Sequence, residues 1–132
     1  MKKILLLLIV LIPLCIVAAP KDNAEKKEPA VTLDAKSHGF GTIRENGGPV
    51  SCEFKITNTG TAPLVIISAT AQCGCTRPSF TTEPIKPGKS GKIRVTYLPK
   101  GRPGEFSKNV RVRTNAPKSK KITLRIAGTV LP

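Results

Sequence analysis

Val50-Ser51-Cys52-Glu53-Phe54-Lys55-Ile56-Thr57 decides the fold class. Apolar and polar residues alternate here without a break. Val50, Cys52, Phe54 and Ile56 share one face, and Ser51, Glu53, Lys55 and Thr57 share the other. Successive side chains of an extended chain point to opposite faces, so a period of two marks a half-buried strand. On a helix, Val50 and Cys52 would fall on nearly opposite sides and no apolar face would form.

The same period recurs on both sides of this stretch. Val31 and Leu33 alternate with Thr32 and Asp34, and Gly39-Phe40-Gly41-Thr42-Ile43 leads to a glycine-rich turn at Asn46-Gly47-Gly48. Asn58-Thr59-Gly60-Thr61 is turn chemistry. Leu64-Val65-Ile66-Ile67 is a short apolar run and reads as a strand buried on both faces. Ile93, Val95 and Tyr97 alternate with Lys92, Arg94 and Thr96. Phe106, Val110 and Val112 lie opposite Arg111 and Arg113, and Ile122, Leu124 and Ile126 opposite Thr123 and Arg125. Pro84, Pro87, Gly88, the 99–104 stretch and Asn115-Ala116-Pro117 supply turns. About seven short strands with turns between them predict an all-β, immunoglobulin-like β-sandwich of antiparallel strands. It is not an antibody-type domain, because the chain has no Trp and lacks the Cys–Trp–Cys spacing.

The N-terminus reads as an export signal rather than as fold. Met1-Lys2-Lys3 is a positive start, 4–17 is almost wholly apolar, and Ala18-Ala19 offers small residues for cleavage. The apolar run is shorter than the roughly 20 residues needed to span a bilayer. The expectation is a signal peptide at 1–18, a flexible charged linker at 19–29 and the sandwich at 30–132. Localisation is then periplasmic or secreted. Cys15 raises a lipoprotein as the lesser alternative. Pro13 and Leu14 are poor for it, because a small residue is expected before a lipidated Cys. The 132-residue chain has 22 Lys and Arg against 8 Asp and Glu. Cleavage after Ala18 removes Lys2 and Lys3 and leaves 20 against 8, a net charge of +12. Such a charge suits an anionic partner without identifying one.

Several short motifs occur in a fixed order: Phe40-Gly41-Thr42-Ile43, Asn58-Thr59-Gly60, Pro63-Leu64, Cys73-Gly74-Cys75-Thr76, Pro84-Ile85, Pro87-Gly88 and Ile126-Ala127-Gly128-Thr129-Val130. This order resembles a bacterial family catalogued as domain of unknown function 1573. It is also similar to the wider group of Hydin-type and major-sperm-protein-like immunoglobulin sandwiches. The resemblance covers about residues 31–130. It implies a single β-sandwich in secreted or periplasmic bacterial proteins, with no settled activity, and it favours a structural or partner-binding module over a catalyst. Cys52 matches nothing in the family's pattern.

Three cysteines remain after export, Cys52, Cys73 and Cys75, so at least one thiol stays unpaired in a monomer. Cys52 shares a face with Phe54 and Ile56 and belongs in the core, where a thiol behaves as a small inert hydrophobe. The Cys73-Gly74-Cys75 pair has three readings. It is a closed disulfide, or one of its sulfurs bonds Cys52. Alternatively it exchanges with other thiols, with Arg77 nearby to favour a thiolate. In the third reading it grips a soft ion such as Cu(I) or Zn(II), with His38 as the one further ligand of the right kind. An oxidising compartment favours the staple. His38 itself, beside Gly39, reads as a surface or capping residue.

No catalytic constellation is visible. There is one His, no nucleophile-elbow motif and no phosphate-cradling glycine loop, so neither an enzyme nor a cofactor is expected. Arg94, Arg111, Arg113 and Arg125 all point outward on late strands. If those strands share a sheet, they form a basic contact face for phosphate or sulfate groups. Nucleic acid is disfavoured, because Phe40, Phe54, Phe80, Tyr97 and Phe106 fall mostly on core positions and leave few rings for stacking. The reading is therefore an exported, non-enzymatic binding or structural module, with an unidentified protein or an anionic cell-envelope polymer as partner. The alternative is a thiol-redox or Cu(I)-binding protein built on Cys-Gly-Cys.

Overall fold

A computed structural model describes residues 26–132. The expected signal peptide and Cys15 lie outside the described residues. The described residues form eight strands: β1 (Val31–Leu33), β2 (Ser37–Arg44), β3 (Val50–Asn58), β4 (Ile66–Ala71), β5 (Thr76–Phe80), β6 (Ser90–Tyr97), β7 (Gly104–Thr114) and β8 (Lys121–Leu131). The one helical piece among the described residues is a three-residue 3-10 turn, Glu45–Gly47. None of the described helical structure is long and apolar enough to cross a membrane.

The strands form two four-stranded sheets, in the orders β1-β3-β6-β5 and β2-β8-β7-β4. Their apolar faces pack together, as the alternation in 50–57 requires. Cys52, Phe54 and Ile56 of β3 are buried, with Ile93, Val95 and Tyr97 of β6 beside them. Val110, Val112, Leu124 and Ile126 face them from β7 and β8. Each such side chain contributes about 1.5–3 kcal/mol on burial. Tyr97 and Phe106 join the two layers, with rings stacked at 3.9 Å between centroids and 11° between planes. Phe106 pairs across the β7–β8 ladder with Gly128. A side chain at 128 would meet that ring at 2.8 Å, so only glycine fits under it.

The immunoglobulin-like sandwich stands, with three differences from the sequence reading. The count is eight, because Thr76–Phe80 is a strand despite Pro78. β5 is an edge strand that pairs only with β6, and an edge tolerates a residue without an N–H. The β2–β8 pair is parallel, while the other pairs between strands are antiparallel. Finally, Leu64-Val65-Ile66-Ile67 is not buried on both faces. Leu64 and Ile66 are in the core, but Ile67 is 57% exposed. β4 is also an edge, with a register irregularity between Ile66 and Ser68 that turns Ile67 to solvent.

Asn58 ends β3 and is fully buried. Its amide donates to the Ala62 carbonyl at 2.7 Å and to the Ile85 carbonyl at 2.8 Å. Its side-chain oxygen accepts from Gly60 N–H at 2.9 Å and Ala30 N–H at 3.4 Å. One side chain thus ties the β3–β4 turn, the lead into β1 and the β5–β6 loop. Glu28 also bonds to this corner through Thr61, inside the stretch read as a linker.

Candidate functional site

The outer face of the β2-β8-β7-β4 sheet gathers positive charge. β7 and β8 are the longest strands, eleven residues each, and their inward Val110, Val112, Ile122 and Leu124 force the alternate residues outward. Register then sets the neighbours. Arg113 pairs directly with Lys121, Arg111 with Thr123, and Asn109 with Arg125. On the other flank, Thr70 and Ser68 of β4 pair with Arg111 and Arg113. Arg111, Arg113, Lys121, Thr70 and Thr123 line a shallow depression of about 500 Å³ with no carboxylate in its wall. Arg125 lies further along β8, where its Nε donates to Ser107 Oγ at 2.7 Å.

Arg94 does not belong to this face. It sits on β6 in the other sheet, directly opposite Glu53. Its Nη1 lies 3.6 Å from Glu53 Oε1, and Lys92 Nζ lies 3.7 Å from Oε2. Those are the ion pairs among the described residues, so Arg111, Arg113, Lys121 and Arg125 have no carboxylate partner there. The structure therefore brings three of the four expected arginines together and adds Lys121. Lys121 opens β8, one residue before the alternation that begins at Ile122. Counting back by twos from Arg125 and Thr123 would have placed it outward.

The cysteine pair occupies the connection between β4 and β5. Cys73 and Cys75 are joined as a disulfide, with Cα atoms 5.2 Å apart. The turn is also closed by backbone bonds: Thr76 N–H donates to the Cys73 carbonyl at 3.1 Å, and Leu98 N–H to the Cys75 carbonyl at 2.8 Å. Cys75 is 2% exposed, whereas Cys73 is half-buried and opens into a recess of about 130 Å³ shared with Lys108 and Asn109 of β7. Lys108 departs from strand parity, since it falls in step with Phe106 and Val110. It follows the core positions of β7 but lies half-buried at the layer's margin.

Cys52 is free and buried, and loss of hydration pushes its thiol from the ordinary 9.0 up to about 11. His38 stands on β2, edge-on to Phe40 at 4.7 Å between ring centroids. β8 and β7 separate β2 from β4, so His38 does not reach the cysteine pair. Among the described residues no three His, Cys, Asp or Glu side chains stand close enough to share a metal ion. The Cys73, Cys75 and His38 ligand set is therefore not assembled. Arg77 lies exposed on β5, paired with Thr96 in the first sheet.

Eight strands in two packed sheets make the described residues an immunoglobulin-like β-sandwich. A family model described as "Protein of unknown function (DUF1573)" matches residues 31–130, and the chain belongs to that family. Solved structures share the fold. A protein of unknown function from Porphyromonas gingivalis W83 superposes with a TM-score of 0.68 at 17% identity, covering 78% of this chain and 47% of that one. The chain thus spans about half the length of that protein. PapD-like domain 7 of human CEP192 gives 0.59 at 18% identity, covering 79% of this chain and 87% of that one. The periplasmic chaperone SfaE gives 0.53 at 16% identity, covering 78% and 57%. No curated protein matches the sequence.

Proposed function

We propose that this domain is an extracytoplasmic, non-enzymatic binding module whose contact surface is the basic outer face of the β2-β8-β7-β4 sheet. Arg111, Arg113, Lys121 and Arg125 hold phosphate or sulfate groups of an anionic cell-envelope polymer. One observation carries this reading: Arg113 faces Lys121 across the ladder, with Arg111 alongside, and no described carboxylate neutralises them. Guanidinium groups on a rigid sheet suit planar, two-pronged recognition of such anions. The apolar leader and the fold likeness to a periplasmic chaperone support the compartment. The sandwich interior is filled by side chains, which supports binding on a surface rather than chemistry in a cleft.

Titration with dextran sulfate tests it, with neutral dextran as control. The expected result is binding that weakens steadily with salt, as counterion release requires. Arg111→Ser with Arg113→Ser is expected to lose about tenfold or more in affinity. Arg94→Ser, on the opposite sheet, is expected to leave it unchanged. An equal loss from Arg94→Ser, or equal binding of neutral dextran, overturns the assignment.

A second reading has its own observation. β4 is an unpaired sheet edge that presents Ile67, 57% exposed, and a protein partner adding a strand there would cover it. Ile67→Lys is expected to block a partner that docks by this route and to leave dextran sulfate binding intact.

A further inference from the structure

We propose that the Cys73–Cys75 bridge is a thiol–disulfide exchange site, at which Cys73 takes the mixed disulfide with an incoming protein thiol and Cys75 is the resolving sulfur. The inference does not rest on the basic face.

The bridge adds little as a staple. It joins residues two apart in sequence and links no two strands. The unfolded-chain entropy that a cross-link removes grows with loop length, and this loop is about as short as one can be. The turn it spans is already held by the Thr76 and Leu98 N–H bonds.

Access is one-sided. Exchange requires a thiolate to reach a sulfur, and Cys75 is 2% exposed. Cys73 opens into the recess beside Lys108 and Asn109. Charge is one-sided too. The Cys75 N–H donates to Cys73 Sγ at 3.1 Å, and the residues lining the recess include Lys108 and no Asp or Glu. The donor at Cys73 Sγ favours negative charge there, which serves the second step, where Cys73 leaves as a thiolate, and the reverse, where it attacks. The buried sulfur has the Thr76 hydroxyl 3.6 Å away.

The step balances with a dithiol partner as reductant. The partner thiolate attacks Cys73 Sγ and a new S–S bond forms there. The Cys73–Cys75 bond breaks, its electron pair leaves on Cys75 Sγ, and that sulfur takes up the proton released when the partner's first thiol ionised. The partner's second thiolate then attacks its own sulfur in the mixed disulfide and releases Cys73 as a thiolate. The partner loses two electrons and gains a disulfide, while the Cys73/Cys75 pair gains two and becomes a dithiol. The reverse begins with Cys73 thiolate attacking a partner disulfide. Each chain carries out one exchange, which a binding module can do without turnover.

The test uses the secreted chain with reduced glutathione as the incoming thiol, followed by an alkylating trap and mass spectrometry. In the native wild type, Cys73 and Cys75 are expected to become alkylatable together while Cys52 stays protected until urea is added. A bridge that resists glutathione in the native state and opens only on unfolding overturns the proposal. Direction is read from two variants treated with oxidised glutathione. Cys75→Ser is expected to gain one glutathionyl group at Cys73 about tenfold or more faster than Cys73→Ser gains one at Cys75. Equal rates overturn it. The wild-type arm depends on no variant folding.

Discussion

Arg113 on β7 and Lys121 on β8 stand face to face across an antiparallel ladder. Like charges directly opposed in a sheet cost about 0.2–1 kcal/mol. The other sheet meets the same situation differently, since Lys92 and Arg94 both reach Glu53. Among the described residues, ion pairs thus occur in the first sheet alone, at Lys92 and Arg94, although Lys55 opposite Lys92 stays without one. Lys121→Glu converts the opposed pair into an attractive one. The expected gain in urea-unfolding stability is about 0.5 kcal/mol at low salt, vanishing at high salt as screening takes over. Dextran sulfate affinity is expected to fall in the same variant. A variant no more stable than wild type at low salt removes the argument that this face is held in a repulsive state.

Asn58 supports a second prediction. Its four bonds satisfy every polar atom of a fully buried side chain. Asn58→Ala leaves the Ala62 and Ile85 carbonyls and the Gly60 and Ala30 amides without that partner. The expected cost is about 3 kcal/mol in chemical denaturation. Asn58→Asp keeps the acceptor, loses both donated bonds and buries a charge, so it is expected to cost more. If Asp is tolerated better than Ala, the amide donors are not what holds this corner.

The contrast between Asn58 and Val50–Thr57 shows what a linear reading can reach. Alternation was legible because each strand must bury one face, and that demand is written residue by residue. Asn58-Thr59-Gly60 was legible only as turn chemistry. Its real partners, Ala30 and Ile85, lie far off in sequence and meet it only in the fold. Sheet membership was hidden for the same reason. Arg94 and Arg111 look alike in their strands, and nothing local says that β6 and β7 belong to different layers. The exposed Ile67 follows from β4 being an edge, again a property of the sheet rather than of the segment. In the cysteine corner residue types placed Cys52 in the core and left the state of the Cys73/Cys75 pair open. The unequal burial of Cys73 and Cys75 could not be read, because their neighbours Leu98, just after β6, and Lys108 of β7 come from elsewhere in the sequence.

Gly128 and Phe106 give a third prediction. A methyl at 128 would press on the Phe106 ring at 2.8 Å and on the Gly41 carbonyl at 2.9 Å. Phe106 cannot retreat, because Tyr97 is stacked on its ring. Gly128→Ala is expected to cost about 1–3 kcal/mol through overpacking. Phe106→Leu alone also destabilises, by loss of the stacked ring. The double variant is expected to be less destabilised than the sum of the two, because the smaller side chain makes room for the methyl. Simple additivity in the cycle would place the clash elsewhere, on the Gly41 backbone.

The last prediction concerns pH and Cys52. Burial raises its thiol to about 11 in the folded protein, whereas the unfolded chain keeps the ordinary 9.0. Between those values the unfolded state has released the proton and the native state still holds it. The unfolded state then binds fewer protons, so unfolding stability falls as pH rises. Below pH 9 both states carry the neutral thiol and the effect is absent. The expected loss between pH 9 and 11 is about 1–2 kcal/mol, less than the full shift because a partly hydrated site screens the charge. The readout is the difference between wild type and Cys52→Val, which isolates this thiol. That difference is expected to be flat below pH 9 and to move in favour of the variant above it. Native-state alkylation at pH 8 is expected to spare Cys52, since a neutral buried thiol is a poor nucleophile. A pH-independent difference, or rapid alkylation of Cys52 in the folded protein, would mean that β3 does not hold this side chain between the sheets.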